Sequence, residues 1–273
     1  MPELPEVETI VRGLRPVLRG RKVTGVWTSG LGLHLARPVD VRGLRRVAVG
    51  RAFVDVRRRG KYITLEVGDA AGVCIHLGMT GRLRVQPAAT ARAPHTHVVL
   101  SLDGGDELRF TDARRFGWVE PGAPLSALSG LAALGPDPLT ELDAEALARS
   151  LAEARAPIKA FLLDQHRVAG LGNIYVCEAL FLSRIHPTTP ARRVAKRAPA
   201  LLAAVRETLE GGIARRGTTL RDYVDADGLA GDNAAALKVY GRAGEPCFTC
   251  GATIRRRVDS GRSTFFCPSC QSR

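Results

Sequence analysis

The beginning of the chain shows a clear helical pattern. Apolar side chains recur at every third or fourth position, at Val7, Ile10, Val11, Leu14 and Leu18. This spacing places them on one face of an α-helix. Pro5 stands in the predicted first turn, where Glu6 and Glu8 lie near the positive end of the helix dipole. We therefore expect a helix that begins near Pro5 and ends near Gly20.

Residues 22–120 show a different pattern, which is rich in β-branched and aromatic side chains. Segments 62–67, 98–102 and 108–111 have the composition of strands, and a Gly- and Asp-rich turn at 103–106 separates the last two. Short strands separated by turns are typical of an antiparallel sandwich or barrel. The pattern predicts strands and turns throughout this part of the chain.

The pattern becomes helical after the segment 134–139, which contains Gly and two Pro and is interpreted as a linker. Helices are predicted at 142–155, 158–165, 173–182 and 197–213. Residues 217–236 are polar, rich in Gly and Asp and only weakly periodic, so they are predicted to form a mobile loop. The expected fold class is α+β, with an antiparallel β-sandwich followed by a helical domain.

The charge of the chain is unusual for a globular protein. Its 273 residues include 40 Lys and Arg against 27 Asp and Glu, which gives a formal net charge of +13. Such an excess indicates a polyanionic partner, because Lys and Arg displace the counterions condensed on phosphates. A solvated basic surface without a partner is the alternative, and charge alone does not separate the two.

No run of eighteen apolar residues occurs, so no membrane-spanning segment is expected. The first residues are acidic and contain no apolar run, unlike a signal peptide. We therefore expect a cytoplasmic protein, in which thiols stay reduced.

Four of the six cysteines have the spacing of a metal site. Cys247, Cys250, Cys267 and Cys270 form the pattern C-x2-C-x16-C-x2-C. Each C-x2-C turn presents two thiolates to one ion, and zinc prefers four such ligands in a tetrahedron. Redox-active pairs are the alternative. We predict one structural zinc ion, with no open position for catalysis.

The residues between the two cysteine pairs are predicted to form a hairpin that turns at Asp259-Ser260-Gly261. Its arginines would suit a finger that contacts phosphates. Cys74 and Cys177 stand in apolar segments and are interpreted as buried packing residues.

Pro2 and Glu3 are candidates for chemistry. Pro2 is small enough to allow removal of Met1, which would leave a secondary α-amine. An α-amine titrates near ~8 and a lysine near ~10.4, so far more of the α-amine is neutral at physiological pH. Nucleophilic attack requires the neutral form, and the adjacent Glu3 carboxyl is a candidate acid or base. A plain helix cap is the alternative interpretation.

The opening, Met1-Pro2-Glu3-Leu4-Pro5-Glu6, resembles that of the formamidopyrimidine-DNA glycosylases. Further segments resemble motifs of this family in the same order: Arg59-Gly60-Lys61-Tyr62, His76-Leu77-Gly78-Met79-Thr80-Gly81, Asp112-Ala113-Arg114-Arg115-Phe116-Gly117, Gly170-Leu171-Gly172-Asn173-Ile174-Tyr175, Val239-Tyr240-Gly241-Arg242 and Arg262-Ser263-Thr264-Phe265-Phe266-Cys267. The resemblance spans nearly the whole chain. It implies a bifunctional DNA repair enzyme that excises oxidised purines, such as 8-oxoguanine and formamidopyrimidines, and then cleaves the strand by β,δ-elimination.

The resemblance also implies catalytic roles. Pro2 attacks C1′ of the damaged nucleotide after Met1 is lost, and Glu3 protonates the sugar ring oxygen. Lys61 approaches the lesion and acts as a proton donor in the elimination, although by charge alone it resembles an edge-strand lysine in a basic run. Arg262 belongs to the same group and holds a phosphate.

Further residues are implied as DNA contacts: His76, His95, Arg155, Lys159, Asn173 and Tyr240. Two have structural alternatives. His76 stands on an apolar strand and would by itself be interpreted as a core histidine. Asn173 follows Gly-x-Gly and precedes a helix, which predicts a helix N-cap. A cap and a phosphate contact are compatible, because helix N-termini also bind phosphate.

Met79, Arg114 and Phe116 resemble the residues with which this family fills the gap left by an extruded base. Extrusion costs a few kcal/mol, and inserted side chains offset part of that cost. A surface turn with one packed aromatic ring is the alternative.

The expected domains are residues 1–134, a helix with the β-sandwich; 135–240, a helix–two-turns–helix domain whose loop 217–236 covers the lesion; and 241–273, a zinc finger. The expected partner is double-stranded DNA containing oxidised bases. The protein is expected to act as a monomer at the bacterial nucleoid.

Two departures from the family pattern stand out. Ala113 occupies a position where many relatives have Pro, which would loosen the insertion loop. The middle of the lesion-covering loop, 227–233, is more acidic than expected, so lesion preference would differ.

Three other functions remain open. A sister group resembling endonuclease VIII acts on oxidised pyrimidines, but its usual opening is Pro-Glu-Gly-Pro, and Leu4 argues against it here. A non-catalytic zinc-finger DNA-binding protein would not need Pro2, Glu3 and Lys61. An RNA-binding zinc ribbon would not account for the amino terminus.

Overall fold

The structure is a computed structural model, which describes residues 1–34, 37–68 and 70–272. These residues form two compact units. The first comprises 1–133 together with 215–232, and the second comprises 134–214 together with the residues from 233 onward. The segment 215–232, which sequence analysis groups with the helical domain, thus lies with the β-domain.

Within its described residues, the first unit contains three α-helices and eight strands: α1 (Leu4–Leu18), β1 (Val23–Thr28), α2 (Val41–Ala48), β2 (Asp55–Arg59), β3 (Tyr62–Glu66), β4 (Gly72–His76), β5 (Arg82–Pro87), β6 (Thr96–Leu102), β7 (Asp106–Thr111), β8 (Trp118–Gly122) and α3 (Ser129–Ala132). The strands form two four-stranded sheets in the orders β1-β6-β7-β5 and β2-β3-β4-β8. Every strand pair is antiparallel.

One hydrophobic core joins α1 and both sheets. The apolar face of α1 is buried together with side chains such as Ile63 of β3 and Val98 of β6. Register follows from this burial: Val98 pairs with Phe110, and Leu100 pairs with Leu108, so that alternate side chains of β6 and β7 enter the core. Burial of this apolar surface is the main contribution to stability.

The prediction of strands and turns throughout 22–120 is wrong at α2. Asp40 caps this helix, because its side chain accepts the Gly43 N–H at 2.8 Å. Leu44 and Val47 are buried on its inner face. Its apolar residues do recur at helical spacing, but the helix has only eight residues, too few to stand out within a region rich in strand patterns.

The second unit contains five helices and one hairpin: α4 (Ala144–Glu153), α5 (Ile158–Leu163), α6 (Asn173–Leu182), α7 (Ala191–Val194), α8 (Ala198–Ala214), β9 (Arg255–Asp259) and β10 (Arg262–Phe266). The four helices predicted in this region are confirmed as α4, α5, α6 and α8, and the fold class is α+β as expected. Among the described residues, no helix combines the length and the apolar character needed to cross a bilayer.

Candidate functional site

The amino terminus is held in place by the first turn of α1. Glu3 is the N-cap residue, and its backbone N–H donates to Glu6 Oε2 at 2.8 Å. Pro2 and Glu3 are both buried, whereas Met1 is half exposed. The helix-cap interpretation is therefore confirmed, and the same cap holds in place the two residues predicted to perform the chemistry.

Lys61 and His76 lie close to one edge of the same sheet, beside and on the neighbouring strands β3 and β4. Lys61 directly precedes β3 and is 6% exposed, and His76 ends β4. The His76 ring stacks on Trp118 with a centroid distance of 4.4 Å. Removal from water, and then the positive charges of Lys61 and His34, lower the pKa of His76 to about 4.

His76 is therefore neutral at physiological pH. Its Nδ1 lies 3.1 Å from the Gly78 backbone N–H and must accept that hydrogen bond. The ring proton then resides on Nε2, which leaves His76 with one N–H donor. Such a group can donate to a phosphate oxygen without adding positive charge.

The three predicted gap-filling residues lie on two loops that touch each other. Met79 is 41% exposed in the loop between β4 and β5, and Phe116 is 42% exposed in the loop between β7 and β8. The Arg114 guanidinium lies over the Phe116 ring, 4.6 Å from its centroid. A Cβ on Gly78 would overlap the Gly117 backbone nitrogen, so the close approach of the two loops requires glycine.

His95 is exposed just before β6 and has a left-handed backbone, with φ of 63°. Its carbonyl accepts the Asp112 N–H at 2.9 Å, which ties it to the loop of Arg114 and Phe116.

The segment 215–232, which we call the covering loop, contains no helix or strand, whereas the last residues of the predicted loop 217–236 form a short 3-10 helix at Asn233–Ala236. One of its acidic side chains, Asp225, has several partners within the first unit. The Asp225 carboxylate forms an ion pair with Arg216 at 2.6 Å and accepts the backbone N–H groups of Asp227 and Leu229. Arg84 of β5 donates to the Asp227 carbonyl at 2.9 Å.

In the second unit, Asn173 begins α6, but its side chain does not cap that helix. The N-cap residue is Gly172, and no side-chain cap bond forms. Asn173 Nδ2 instead donates to the Ser263 carbonyl at 2.8 Å. Asn173 Oδ1 is buried without a hydrogen-bond partner among the described residues. The N-cap prediction is therefore wrong, because Gly172 is the N-cap and the hydrogen bond to Ser263 orients the Asn173 side chain toward β10.

Lys159, an expected DNA contact, is buried and has partners within the protein. It is 3% exposed, and its ammonium donates to Thr264 Oγ1 at 2.7 Å and to the Ser263 carbonyl at 3.1 Å. Burial lowers the pKa of Lys159. Its observed role is to hold strand β10 against the helical part of the unit. Arg155 and Arg262, by contrast, are exposed.

The four predicted zinc ligands lie together at one end of the hairpin. The Sγ atoms of Cys247, Cys250, Cys267 and Cys270 all lie within 4.8 Å of one another. Tetrahedral zinc with bonds of about 2.3 Å separates its sulfur ligands by about 3.8 Å. The observed separations of 3.9 Å for Cys247–Cys270 and 3.5 Å for Cys250–Cys267 fit that geometry. The protein binds one structural zinc ion through these cysteines.

The other two cysteines are buried packing residues, as expected. Burial raises the pKa of Cys74 to about 12, so its thiol stays protonated.

Glu178 of α6 is a positioning residue that sequence analysis missed. Its buried carboxylate accepts the backbone N–H groups of Lys238, Val239 and Tyr240 at 2.8–2.9 Å. These three hydrogen bonds fix the backbone at Tyr240. The Tyr240 ring packs against Phe265 of the hairpin, with 4.9 Å between the ring centroids. A lone Glu within an apolar helix is the only sequence signal for it.

Family models of known proteins match the β-domain, the helical domain and the zinc finger of this chain. The family model described as formamidopyrimidine-DNA glycosylase N-terminal domain matches residues 1–119, and the model for the H2TH domain of the same enzymes matches 134–224. A model described as a zinc finger found in FPG and IleRS matches 244–273. A formamidopyrimidine-DNA glycosylase of Rhizorhabdus wittichii is 50% identical over 99% of this chain and 100% of its own length.

Solved structures similar to this chain belong to the same enzymes. MutM (FPG) of Thermus thermophilus is 40% identical with a TM-score of 0.87, and covers 99% of this chain and 98% of its own. A Lactococcus lactis FPG variant in complex with Fapy-dG-containing DNA is 33% identical with a TM-score of 0.90, and both chains are covered completely. Sequence, fold and zinc ligands together show that this chain belongs to the formamidopyrimidine-DNA glycosylase family.

Proposed function

We propose that this protein is a bifunctional base-excision repair enzyme that removes oxidised purines from double-stranded DNA and cleaves the strand at the resulting abasic site. Family membership supports the glycosylase activity. The relatives' solved complexes contain DNA with Fapy-dG or carbocyclic 8-oxo-G, which supports an oxidised purine as substrate. The observation that carries the chemistry is the amino terminus, where Pro2 and Glu3 are buried and fixed by Glu6.

The reaction begins at the secondary amine of Pro2, which removal of Met1 exposes. The neutral nitrogen attacks C1′, and the bond between C1′ and the purine N9 breaks. Glu3 supplies a proton to the sugar ring oxygen as the ring opens, and an iminium ion joins Pro2 to C1′. The purine leaves with the electron pair of the broken bond and takes up the proton that the Pro2 nitrogen loses as the iminium forms.

Strand cleavage follows from the iminium ion, which acidifies the protons on C2′. Loss of one of these protons expels the 3′ phosphate by β-elimination, and a second elimination expels the 5′ phosphate. Lys61 acts as a proton donor in these steps. The products are a one-nucleotide gap with phosphate at both ends and a released sugar fragment.

The remaining residues bind and shape the DNA. His76 donates from Nε2 to a phosphate, and Arg262 supplies a charged contact from β10. The Asn173 amide nitrogen has a second hydrogen beyond the one given to Ser263, and it is available to another phosphate. Met79, Arg114 and Phe116 fill the gap left by the extruded base, and zinc only holds the finger in shape. The enzyme acts as a monomer at the nucleoid.

Borohydride trapping tests this proposal. The protein is incubated with a duplex carrying 8-oxoguanine opposite cytosine, and its intact mass is measured in parallel. The expected result is a covalent protein–DNA adduct that maps to Pro2 on a chain lacking Met1. The matched control is the Glu3→Gln variant, which keeps the amine and should trap far less adduct from the damaged base.

The alternatives predict other outcomes. Trapping on a thymine glycol duplex but not on 8-oxoguanine would assign the protein to the pyrimidine-specific group. Tight binding with no adduct on either duplex would favour a non-catalytic DNA-binding protein.

A further inference from the structure

One buried carboxylate connects the two loops that carry Met79, Arg114 and Phe116. Asp112 follows β7, and its Oδ1 accepts the Thr80 hydroxyl at 2.5 Å. Its Oδ2 accepts the Gly117 N–H at 2.8 Å. The carboxylate therefore spans the loop 113–116 and also reaches across to the loop that contains Met79.

A third donor completes this arrangement. The Arg114 backbone N–H lies 3.2 Å from both Thr80 Oγ1 and Asp112 Oδ1. The Thr80 hydroxyl thus donates to the carboxylate and accepts from the loop. The Asp112 carboxylate thus holds both ends of the loop, at Arg114 and Gly117, and Thr80 adds a second acceptor at Arg114.

The backbone of the loop needs such support. The Arg115 N–H donates to the Asp112 carbonyl at 3.2 Å and closes a four-residue turn, in which Ala113 is the second residue. Proline is favoured at this position because its ring fixes φ near −65°. Arg115 is left-handed, with φ of 54°, a conformation that residues other than glycine rarely adopt. With alanine at 113, the hydrogen bonds must hold this turn.

We propose that Thr80 and Asp112 are positioning residues that make the two loops one rigid unit, so that Met79, Arg114 and Phe116 enter the duplex together. The loop then loses its conformational entropy when the protein folds and not when it meets DNA. This inference rests on the proposed function, since the three side chains act only where a base is extruded.

The test uses three variants. Thr80→Val removes the hydroxyl with little change of shape, and Thr80→Ser keeps it. Thr80→Val with Ala113→Pro restores turn rigidity by another route. Hydrogen–deuterium exchange of the free protein reports on the loop, and a fluorescent base beside 8-oxoguanine reports on extrusion in stopped-flow experiments.

We expect Thr80→Val to increase exchange at 113–117 and to slow extrusion roughly tenfold, in line with the cost of small misplacements of positioned groups. Thr80→Ser should match the wild type, and Ala113→Pro should recover most of the loss. A merely structural role would lower thermal stability and all rates together, without rescue by proline.

We call the joining of the two loops by Thr80 and Asp112 the clamp. The outcomes separate this clamp from the proposed enzymatic function on which it rests. Unchanged exchange in Thr80→Val overturns the clamp, whatever the activity. Increased exchange with an unchanged extrusion rate overturns its positioning role. Failure of the wild-type protein to form a borohydride adduct, with exchange still increased in Thr80→Val, overturns the proposed function and leaves only a clamp in the free protein.

Discussion

The Oε1 atom of Glu6 accepts the backbone N–H of Thr218 at 2.7 Å, across 212 positions of sequence. The other oxygen of the same carboxylate accepts the Glu3 N–H. Glu6 is 1% exposed, and the Tyr223 hydroxyl donates to its carbonyl at 3.3 Å. One buried side chain therefore joins the amino terminus to the start of the covering loop.

Glycine is required where these elements meet. Gly217 has φ of 85°, and a Cβ there would lie 3.0 Å from Glu6 Cγ and 2.9 Å from the Tyr223 ring. The covering loop therefore packs closely against the first turn of α1. The position of the proposed nucleophile and the position of the loop thus depend on the same carboxylate.

Glu6→Ala is expected to destabilise the protein and to slow formation of the imine. It removes the acceptor from two N–H groups, and an unpaired buried donor costs about 1–3 kcal/mol. Urea denaturation measures the stability, and borohydride trapping under single-turnover conditions measures the imine. Glu8→Gln is the matched control, because Glu8 lies on the same helix but pairs with Arg12 and Arg58. Wild-type stability and trapping in Glu6→Ala would contradict the coupling.

Arg84→Ala is expected to loosen the covering loop without touching the nucleophile. Arg84 donates to the carbonyls of Ala226 and Asp227, so its loss frees the acidic part of the loop. Excision of 8-oxoguanine should fall by roughly tenfold, the loss expected when a positioned group is displaced. Cleavage at a preformed abasic site should change much less, because there is no base to cover. An equal loss on both duplexes would argue against a role in holding the damaged base.

The low pKa of His76 predicts how the stability of the folded protein changes as the pH is lowered. In the unfolded chain this histidine binds a proton near pH ~6.5, whereas in the folded protein it does so only at about pH 4. Between these values the unfolded state binds more protons, so stability falls as the pH is lowered through this window. His76→Gln removes the group and should lose stability less steeply from pH 6.5 to 4. Urea denaturation at several pH values measures the free energy of unfolding of both proteins. If this free energy falls equally with pH in the wild type and the variant, the low pKa of His76 is disproved.

The sequence predicts those parts of the fold that depend on neighbours along the chain. The apolar stripe of α1, the helices α4, α5, α6 and α8, and the paired C-x2-C turns are all visible as local spacing. Helix α2 is missed because its apolar face spans only eight residues within a region whose other segments have the composition of strands. The amino-terminal and zinc-ligand motifs are found because each is contiguous or regularly spaced.

Long-range contacts explain what the sequence does not predict. Asn173 is expected to cap its own helix, but its partner Ser263 lies 90 positions away. Lys159 is predicted only as a DNA contact, and its hydrogen bond to Thr264, across 105 positions, is not visible in the sequence. The roles of Glu6 and Glu178 likewise depend on backbone groups far along the chain. Such partners become visible only when the fold brings them together.

Cys247→Ser is expected to release zinc and to abolish tight DNA binding. The hairpin has only two strands, and its arginines are positioned by the four thiolates at its end. Small zinc modules of this kind draw their folding free energy from the metal. Elemental analysis and a binding titration measure both effects, with Cys74→Ala as the control that should keep one zinc ion. Tight binding by a zinc-free variant would contradict the structural role of the finger.

The salt dependence of DNA binding separates charged from neutral phosphate contacts. Each cationic phosphate contact contributes about 0.9 to the slope of log K against log salt. Arg262 is exposed and charged on β10, so Arg262→Gln should weaken binding and reduce the slope by about 1. His76 is neutral, because its pKa is about 4. His76→Ala should therefore weaken binding and leave the slope unchanged.

Fluorescence anisotropy on a duplex with a non-cleavable abasic analogue, titrated between about 50 and 200 mM salt, measures both slopes. Arg155→Ala serves as an internal comparison, because Arg155 is also exposed and its contact with DNA is predicted only by resemblance. A reduced slope would place Arg155 on a phosphate, and an unchanged affinity would remove it from the interface. A slope reduced by about 1 in His76→Ala would mean that the imidazole is protonated when DNA is bound, so that the phosphate raises its pKa above neutrality.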